Sequence, residues 1–216
     1  MLSATDEQGQ ALSDSEVITN MLQLLFAARD TTARQLCWLI LELALHPQWA
    51  ERLRRECSEV TGNAPLEMSH LKHFTCMGWV LKEVERLYPP VYIIPRGVID
   101  DVEFAGYHIP AGWHVNVSPL LTHRLEEIYS RPESFEPERF APPREEHKKH
   151  SFALIGFGGG VHKCLGYELA QMEMKIILLI MLRRFRWNVT PTEFEISPSF
   201  QPFEVLQELR ATVQCK

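Results

Sequence analysis

The chain has 216 residues, 45% of them hydrophobic and 23% charged, which is ordinary for a soluble globular protein. Its net charge of −6 argues against a nucleic-acid partner, since such domains normally carry a basic surface. The five cysteines are scattered, odd in number and without zinc-like spacing, which favours a reducing compartment over a disulfide scaffold. No apolar run approaches the roughly 20 residues that cross a bilayer, and the polar first residues do not form a signal peptide. We therefore expect this chain to be soluble and cytoplasmic, although a longer protein containing it could be membrane-anchored.

The first predicted element is one long helix over residues 13–45. Ser13 and Glu16 form a capping-box pattern, and neither Gly nor Pro interrupts the run that follows. Its apolar residues occupy most faces, which is typical of a helix inside a larger protein. The sequence AARDTT at residues 27–32 lies at its centre, where Thr and Asp compete for backbone hydrogen bonds. Two interpretations remain open: a solvated or back-bonded polar patch, or a loosened helix that presents groups for proton delivery.

Two further helices are predicted before any strand. The first runs from Pro47 to about residue 60, and the second covers residues 74–88 and stops at two prolines. The second carries Glu83 and Arg86 on one face, a spacing that by itself indicates an ordinary exposed ion pair.

The residue pattern then changes to a period of two. Short β-rich runs separated by turn residues predict a small antiparallel meander over residues 91–117. Residues 130–150 are rich in proline and mixed charge and predict an irregular coil along the surface. An apolar helix over residues 165–185 is expected to be buried, and residues 187–215 alternate well enough for two or three strands, with turns near Pro191 and Pro202.

A glycine-rich loop with one cysteine, Cys164, covers residues 152–166. Its glycines let the backbone come very close to something flat or bulky. A cysteine at a helix N-terminus favours the thiolate, and such a thiolate suits a soft metal in a planar cofactor, with haem iron the obvious case. A buried structural cysteine is the plainer alternative. A phosphate-binding loop is a third, although no Lys-Ser/Thr pair follows the glycines.

Four separated motifs, in the same order, resemble those of the cytochromes P-450. The haem-binding signature F-x-x-G-x-(R/H)-x-C-x-G is filled by Phe157, Gly160, His162, Cys164 and Gly166. The helix motif E-x-x-R is matched by Glu83 and Arg86, and the meander motif P-x-R-F by the segment around Arg139. The long-helix motif (A/G)-G-x-(D/E)-T-(T/S) is matched by Ala27, Asp30, Thr31 and Thr32, with Ala28 in place of the usual glycine.

The resemblance implies the C-terminal half of the P-450 fold, mainly α with small antiparallel β-sheets (α+β), with residues 1–216 as one portion of that domain. The N-terminal sheet strands, a helix beside the haem and the helices that roof the substrate pocket are then absent from this chain. The half-domain implies an apolar surface well above the few hundred Å² that a monomer tolerates.

The resemblance also implies a role for each motif residue. Cys164 is the thiolate ligand of haem b, and Phe157, Gly158, Gly160 and Gly166 pack under the macrocycle, with Ala27 across from them. His162 and Arg96 contact the propionates. Glu83, Arg86 and Arg139 form a buried structural network behind the cysteine loop. Asp30 and Thr31 lie on the opposite face and route protons to dioxygen.

The implied reaction inserts one oxygen atom from O2 into a C–H bond of a lipophilic substrate, of the sterol, fatty-acid or terpenoid kind. A ferredoxin or flavin reductase supplies two electrons. Lys163, Arg144, Lys148 and Lys149 are either its docking patch or simply a solvated charged face. Residues 25–28, 91–94 and 201–203 are expected to line the substrate pocket. Two alternatives stay open: an inactive fragment that needs the missing N-terminal half or an oligomer, and a haem-binding sensor. A sensor does not need the Asp30-Thr31 relay.

Overall fold

A computed structural model describes residues 5, 9–62, 64–196 and 208–215. The helices within these residues are α1 (Asp14–Leu45), α2 (Pro47–Thr61), α3 (Thr75–Leu87), α4 (Pro119–Thr122) and α5 (Tyr167–Arg184). The strands are β1 (Ile94–Gly97), β2 (Val102–Phe104), β3 (Tyr107–Ile109), β4 (His114–Val117), β5 (Phe185–Thr190) and β6 (Arg210–Cys215). Short 3-10 turns cover Met68–His73, Pro137–Phe140, Glu146–Lys148 and Gly160–His162.

Helix α1 begins at the predicted capping box and runs unbroken for 32 residues. The backbone N–H of Ser13 donates to the Glu16 carboxylate at 2.8 Å, and the Ser13 hydroxyl accepts from the backbone N–H of Glu16. Its two halves differ sharply in packing. Leu39 is fully buried in the C-terminal half, whereas Leu25 and Phe26 in the N-terminal half are 67% and 76% exposed. Apart from the buried Val17, the apolar side chains of the N-terminal half of α1 are therefore largely uncovered among the described residues.

The main core lies where α1, α2, α3 and α5 meet. Leu53 from α2, Met77 from α3 and Leu178 from α5 are each no more than 1% exposed within it. Helix α5 is not buried all round as its composition predicts. Leu178 lies on its buried face, but Leu169 and Ile180 on other faces are 49% and 44% exposed. Apolar composition alone does not tell which faces a neighbouring element covers.

The predicted single meander is wrong in its pairing. Strands β1 and β4 pair antiparallel, with Ile94 opposite Val117, and β2 and β3 form a separate hairpin, with Val102 opposite Ile109. Turn residues show where a chain reverses, but they do not determine which strands pair across a longer excursion.

Two other regions refine the expectations. Strands β5 and β6 pair antiparallel within the predicted C-terminal strand region, whereas the expected turn near Pro202 lies outside the described residues. The proline-rich stretch does not stay on the surface, because Arg139 and Phe140 from it are buried. Within residues 9–62, 64–196 and 208–215, no helix has the length and hydropathy needed to span a membrane.

Candidate cofactor site

A cleft of about 470 Å³ opens between α1, the segment that follows α3, the glycine-rich loop and α5. This volume lies in the range of roughly 300–1,000 Å³ that is typical of small-molecule sites. Its lining is largely apolar and consists of Ala27, Thr31, Thr32, Gln35, Pro90, Val91, Ile94, Arg96, Gly156, Phe157, Gly158, His162, Cys164, Ala170 and Met174. The cleft therefore gathers residues that are more than a hundred positions apart in the sequence.

Backbone hydrogen bonds hold Cys164 just before the N-terminus of α5. Its N–H donates to the Phe157 carbonyl at 2.8 Å, and its own carbonyl accepts from the Tyr167 N–H at 3.3 Å. Helix α5 starts at Tyr167 with Gly166 as N-cap, two residues later than predicted. The thiol is exposed on the cleft side, so the sulfur lies just before a helix N-terminus, where a negative charge is stabilised.

Two glycines in the loop before Cys164 have no room for a side chain. Gly158 has φ +72°, and a Cβ atom added there would lie 2.9 Å from the His162 carbonyl oxygen. At Gly156, an added Cβ atom would lie 2.4 Å from Cγ of Glu85. Both positions require glycine, and the bare backbone leaves the floor of the cleft open to a flat ligand.

An arginine and a histidine side chain lie at one edge of the cleft. Arg96 on β1 and His162 line both the main cleft and an adjoining cavity of about 210 Å³. Gly158 also lines both, and Gly160 lines the adjoining cavity. Arg96 Nη1 donates to the Pro95 carbonyl at 2.9 Å, and this hydrogen bond holds the guanidinium at this edge of the cleft. An apolar interior with a cationic rim suits a ligand that has a flat apolar body and an anionic margin.

The α1 wall separates the two predicted proton-relay residues. Thr31 lines the cleft, and its hydroxyl donates to the Ala27 carbonyl at 2.6 Å in a helix that remains continuous. This geometry is that of a back-bonded hydroxyl. Asp30 instead lines a second cavity of about 670 Å³ beside Arg34, and its carboxylate is 4.0 Å from the Arg29 guanidinium. The structure therefore brings Thr31 to the cofactor cleft and places Asp30 at a different cavity.

The predicted substrate-facing segments are only partly in the cleft. Ala27, Val91 and Ile94 line it, whereas Leu25 is exposed on α1 and is not among its lining residues. Residues 201–203 lie outside the described part of the chain.

Glu83, Arg86 and Arg139 form one buried charge network. Glu83 Oε2 accepts from Arg86 Nε at 2.8 Å, and Glu83 Oε1 accepts from Arg86 Nη2 at 2.9 Å and from Arg139 Nε at 3.1 Å. All three side chains are 0% exposed. The prediction of an ordinary surface ion pair, which rests on the spacing alone, is thus wrong. The three residues meet in the interior, as the family resemblance implies.

Sequence reasoning missed the outer members of this network. Glu146 accepts from Arg139 Nη1 at 2.9 Å and from Arg144 Nη2 at 2.8 Å. Burial works against its charged form, but hydrogen bonds from Arg144, Ser130 and Arg139 outweigh burial and lower the pKa of Glu146 to about 2. These partners lie within a segment whose mixed charges give no local pattern, so only the folded coil shows them.

His123, also missed, ties the network to the cysteine loop. Its Nε2 accepts from the Ile155 N–H at 2.9 Å, and its Nδ1 lies 3.0 Å from the Arg86 carbonyl, so that Nδ1 is the protonated nitrogen. Burial lowers the pKa of His123 to about 3, which keeps the ring neutral at pH 7. The buried charges thereby act on the position of the loop that carries Cys164.

The residues of the cleft fit a haem. The Cys164 thiol is exposed beside a loop in which Gly156 and Gly158 leave the backbone bare, the interior is largely apolar, and Arg96 and His162 lie at one margin. A soft thiolate is the donor expected for haem iron of this kind, and the guanidinium and imidazole are hydrogen-bond donors that suit the propionates. This arrangement is the one expected of a site that holds a haem through a cysteine thiolate.

The cytochrome P450 family model matches residues 1–213, and the chain belongs to this family. It is 39% identical over 190 residues to a putative cytochrome P450 136 of Mycobacterium tuberculosis, covering 88% of this chain and 38% of that protein. It is 36% identical over 210 residues to a putative cytochrome P450 120 of Synechocystis, covering 96% of this chain and 47% of that protein.

A solved structure gives the same assignment. The retinoic acid bound cyanobacterial CYP120A1 superposes with a TM-score of 0.92 at 34% identity, over 100% of this chain and 49% of that one. The match confirms the predicted partial P-450 fold, mainly α with small antiparallel sheets. The chain thus spans less than half the length of each of these relatives.

Proposed function

We propose that the protein containing this chain is a haem-thiolate monooxygenase and that Cys164 is the axial ligand of its haem b. The observation that carries the proposal is the position of Cys164, exposed beside a glycine floor at the start of α5 and open to an apolar cleft. Phe157 contacts Tyr167 edge to face, with ring centroids 4.9 Å apart, and fixes the loop below the sulfur. Arg96 and His162 would hold the propionates.

The chain's own residues would bind and orient the reactants. When bound, the haem supplies the dioxygen chemistry, in which one oxygen atom enters a substrate C–H bond and the other leaves as water. Thr31 has its hydroxyl at the cleft wall, where it would position a proton donor for the oxygen side. Asp30 stays a predicted relay group, and its place at the second cavity supports a role further from the cofactor.

A lipophilic substrate agrees with the lining of the cleft. Val91 and Ile94 line the same cleft as Thr31, and most of the other lining residues are apolar or glycine. A sterol 14alpha-demethylase of Mycolicibacterium vanbaalenii is 32% identical over 191 residues, and the solved relative is described with retinoic acid bound. Both names support a substrate of sterol, fatty-acid or terpenoid kind for this chain.

An electron-donor protein, a ferredoxin or flavin reductase, would dock on the cysteine side. Lys163 lies there over the Tyr167 ring, with Nζ 3.9 Å from the centroid. Lys149 Nζ donates to the Ile128 carbonyl, and Lys148 pairs with Glu145. Arg144 already serves the buried network through Glu146, so the lysines are the better candidates for contact with an acidic partner.

A carbon monoxide difference spectrum of the reduced full-length protein tests the ligand assignment. We expect a Soret band shifted well to the red in the wild type and its loss in Cys164→Ala. Cys215→Ala, which removes an exposed cysteine at the end of β6, is the matched control and should leave the band unchanged. A red-shifted band that survives in Cys164→Ala would remove Cys164 from its role.

A second candidate is that residues 1–216 alone are an incomplete half-domain without activity. The exposed apolar face of α1 favours it, since Ile18, Leu22, Leu25 and Phe26 are between 58% and 76% exposed. Static light scattering of the isolated chain should then show self-association, and haem titration should show weak or substoichiometric binding. A stable monomer that holds stoichiometric haem and turns over substrate would exclude this candidate.

A further inference from the structure

Glu85 is a buried carboxylate that the charge network does not use. It lies on α3 between Val84 and Arg86 and is 5% exposed. Glu83, two residues earlier, pairs with two arginines, but within the described part of the chain no Lys, Arg or His nitrogen lies within 4.0 Å of the Glu85 carboxylate. A buried carboxylate without a salt bridge is costly to keep charged, so its position calls for a reason.

The glycine-rich loop is shaped around this side chain. A Cβ atom added at Gly156 would lie 2.4 Å from Glu85 Cγ and 2.8 Å from Glu85 Oε1, so only glycine lets the carboxyl group pack against the loop. Gly156 and Phe157 also line the cofactor cleft on their other side. A single layer of backbone therefore separates the Glu85 carboxyl group from the cleft. The carbonyl of Phe157 in that layer accepts the N–H of Cys164.

The surroundings of Glu85 leave its charge finely balanced. Burial raises the pKa of Glu85 to about 7, although the backbone amides of Gly156 and Phe157 and the charge of Lys82 and Lys163 act in the opposite direction. The charge of Glu85 also acts on two phenols, those of Tyr129 from the coil after α4 and Tyr167 from α5. Neither phenol ionises near neutral pH, because burial raises the pKa of each. Glu85 is thus the group of this cluster that changes charge near neutrality.

We propose that Glu85 is a redox-linked proton acceptor, taking up one proton from solvent when one electron from the donor protein enters the cofactor held at Cys164. The carboxylate becomes a neutral carboxylic acid, so the added electron and the added proton leave the net charge of the buried region unchanged. The physical cause is Coulomb repulsion across one backbone layer of low polarisability, where charges are weakly screened. Lys82, one turn earlier on α3, is partly exposed, and its positive charge acts on Glu85.

This inference rests on the proposed haem site and predicts a measurable property of it. A negative Glu85 opposes electron entry and a neutral one does not. The reduction potential of the bound iron should therefore fall as the pH rises through about 7. In Glu85→Gln the side chain is neutral at every pH, so the potential should be higher than in the wild type at alkaline pH and should lose this pH dependence.

The test is a potentiometric titration of the full-length haem protein between about pH 6 and about pH 8. Wild type, Glu85→Gln and Glu168→Gln are compared; the last variant removes an exposed carboxylate from the first turn of α5 and should keep the wild-type slope. A wild-type potential that is flat over this range, or an unchanged slope in Glu85→Gln, would overturn the proposal.

Two further measurements keep the outcome interpretable. The carbon monoxide spectrum is recorded for every variant, because a wild type without the red-shifted Soret band contradicts the haem-thiolate function itself, whereas a normal band with an unaltered slope contradicts only the role of Glu85. If Glu85→Gln does not fold, the reduced-minus-oxidised infrared spectrum of the wild type at pH 7 decides. A protonated-carboxyl band that grows on reduction supports the proposal, and its absence refutes it.

Discussion

Replacing Glu83 by Gln is the sharpest test of how the cysteine loop is supported. The substitution keeps the size and shape of the side chain but removes the negative charge that faces Arg86 and Arg139. All three side chains are 0% exposed, so water cannot take over the role of the lost carboxylate. Arg86 would keep only carbonyl acceptors, among them those of His123 and Pro132.

The expected loss is large because an uncompensated buried charge remains. Removing one partner of a buried ion pair costs about 3–5 kcal/mol. Since whole domains are stable by about 5–15 kcal/mol, this change removes a substantial part of the free energy of unfolding. Glu138→Gln is the matched control, since Glu138 pairs with Arg52 at 2.6 Å but the two side chains are 51% and 35% exposed. Exposed pairs contribute about 0–1 kcal/mol.

Equilibrium urea unfolding of the full-length protein, followed by far-UV circular dichroism, measures both variants. We expect Glu83→Gln to shift the midpoint far below that of the wild type, and Glu138→Gln to stay close to it. Equal m-values are needed for the comparison, because they show that the same surface is exposed on unfolding. A Glu83→Gln variant within about 1 kcal/mol of the control would show that the buried network is not what stabilises this region.

Three further predictions concern the loop, the rim and the pH response. Gly158→Ala should weaken haem binding in a titration more than Gly160→Ala does. Both glycines have positive φ, but only at Gly158 would an added Cβ atom also lie 2.9 Å from the His162 carbonyl oxygen. Equal losses of haem affinity in the two variants would contradict this reasoning. Arg96→Ala should lower haem affinity by about 10–100-fold through loss of a charged hydrogen bond. Arg29→Ala, which removes an exposed arginine, is the control. An unchanged haem affinity in Arg96→Ala would show that Arg96 does not hold a propionate. The pKa of Glu146 is depressed to about 2, so its charged form stabilises the fold above its ordinary pKa of 4.5, and this contribution is lost as the pH falls through about 2. In Glu146→Gln, the midpoint of urea unfolding should therefore depend less on pH within that window.

Local sequence signals predicted the elements well where the deciding contacts are close in the chain. The capping box of Ser13 and Glu16 placed the start of α1 correctly, and the two prolines after residue 88 placed the end of α3 within one or two residues. Both signals act through hydrogen bonds within a single turn, or through a proline ring that cannot continue a helix. Such effects need no tertiary partner, so they can be read from the sequence.

Pairing over longer distances could not be read in this way. The runs at residues 91–117 alternate correctly, yet β1 pairs with β4 around the β2–β3 hairpin instead of with its neighbour. Likewise, the spacing of Glu83 and Arg86 indicated a surface pair, and only the family resemblance placed it in the interior. The coil that carries Arg139 and Glu146 folds over α3 and excludes water from the pair, and that is a property of packing.

The sequence by itself determined the shape of the cysteine loop, because glycines at fixed positions and one thiol before a helix specify a backbone path and predict a candidate ligand. Only the tertiary structure decided which side chains face that loop. It brings Thr31 to the cleft but turns Asp30 to another cavity, since adjacent residues on a helix point about 100° apart. It also places Glu85 one backbone layer behind the cleft. Burial, and with it the charge of a carboxyl group near neutral pH, follows from how elements pack, and residue order alone does not specify it.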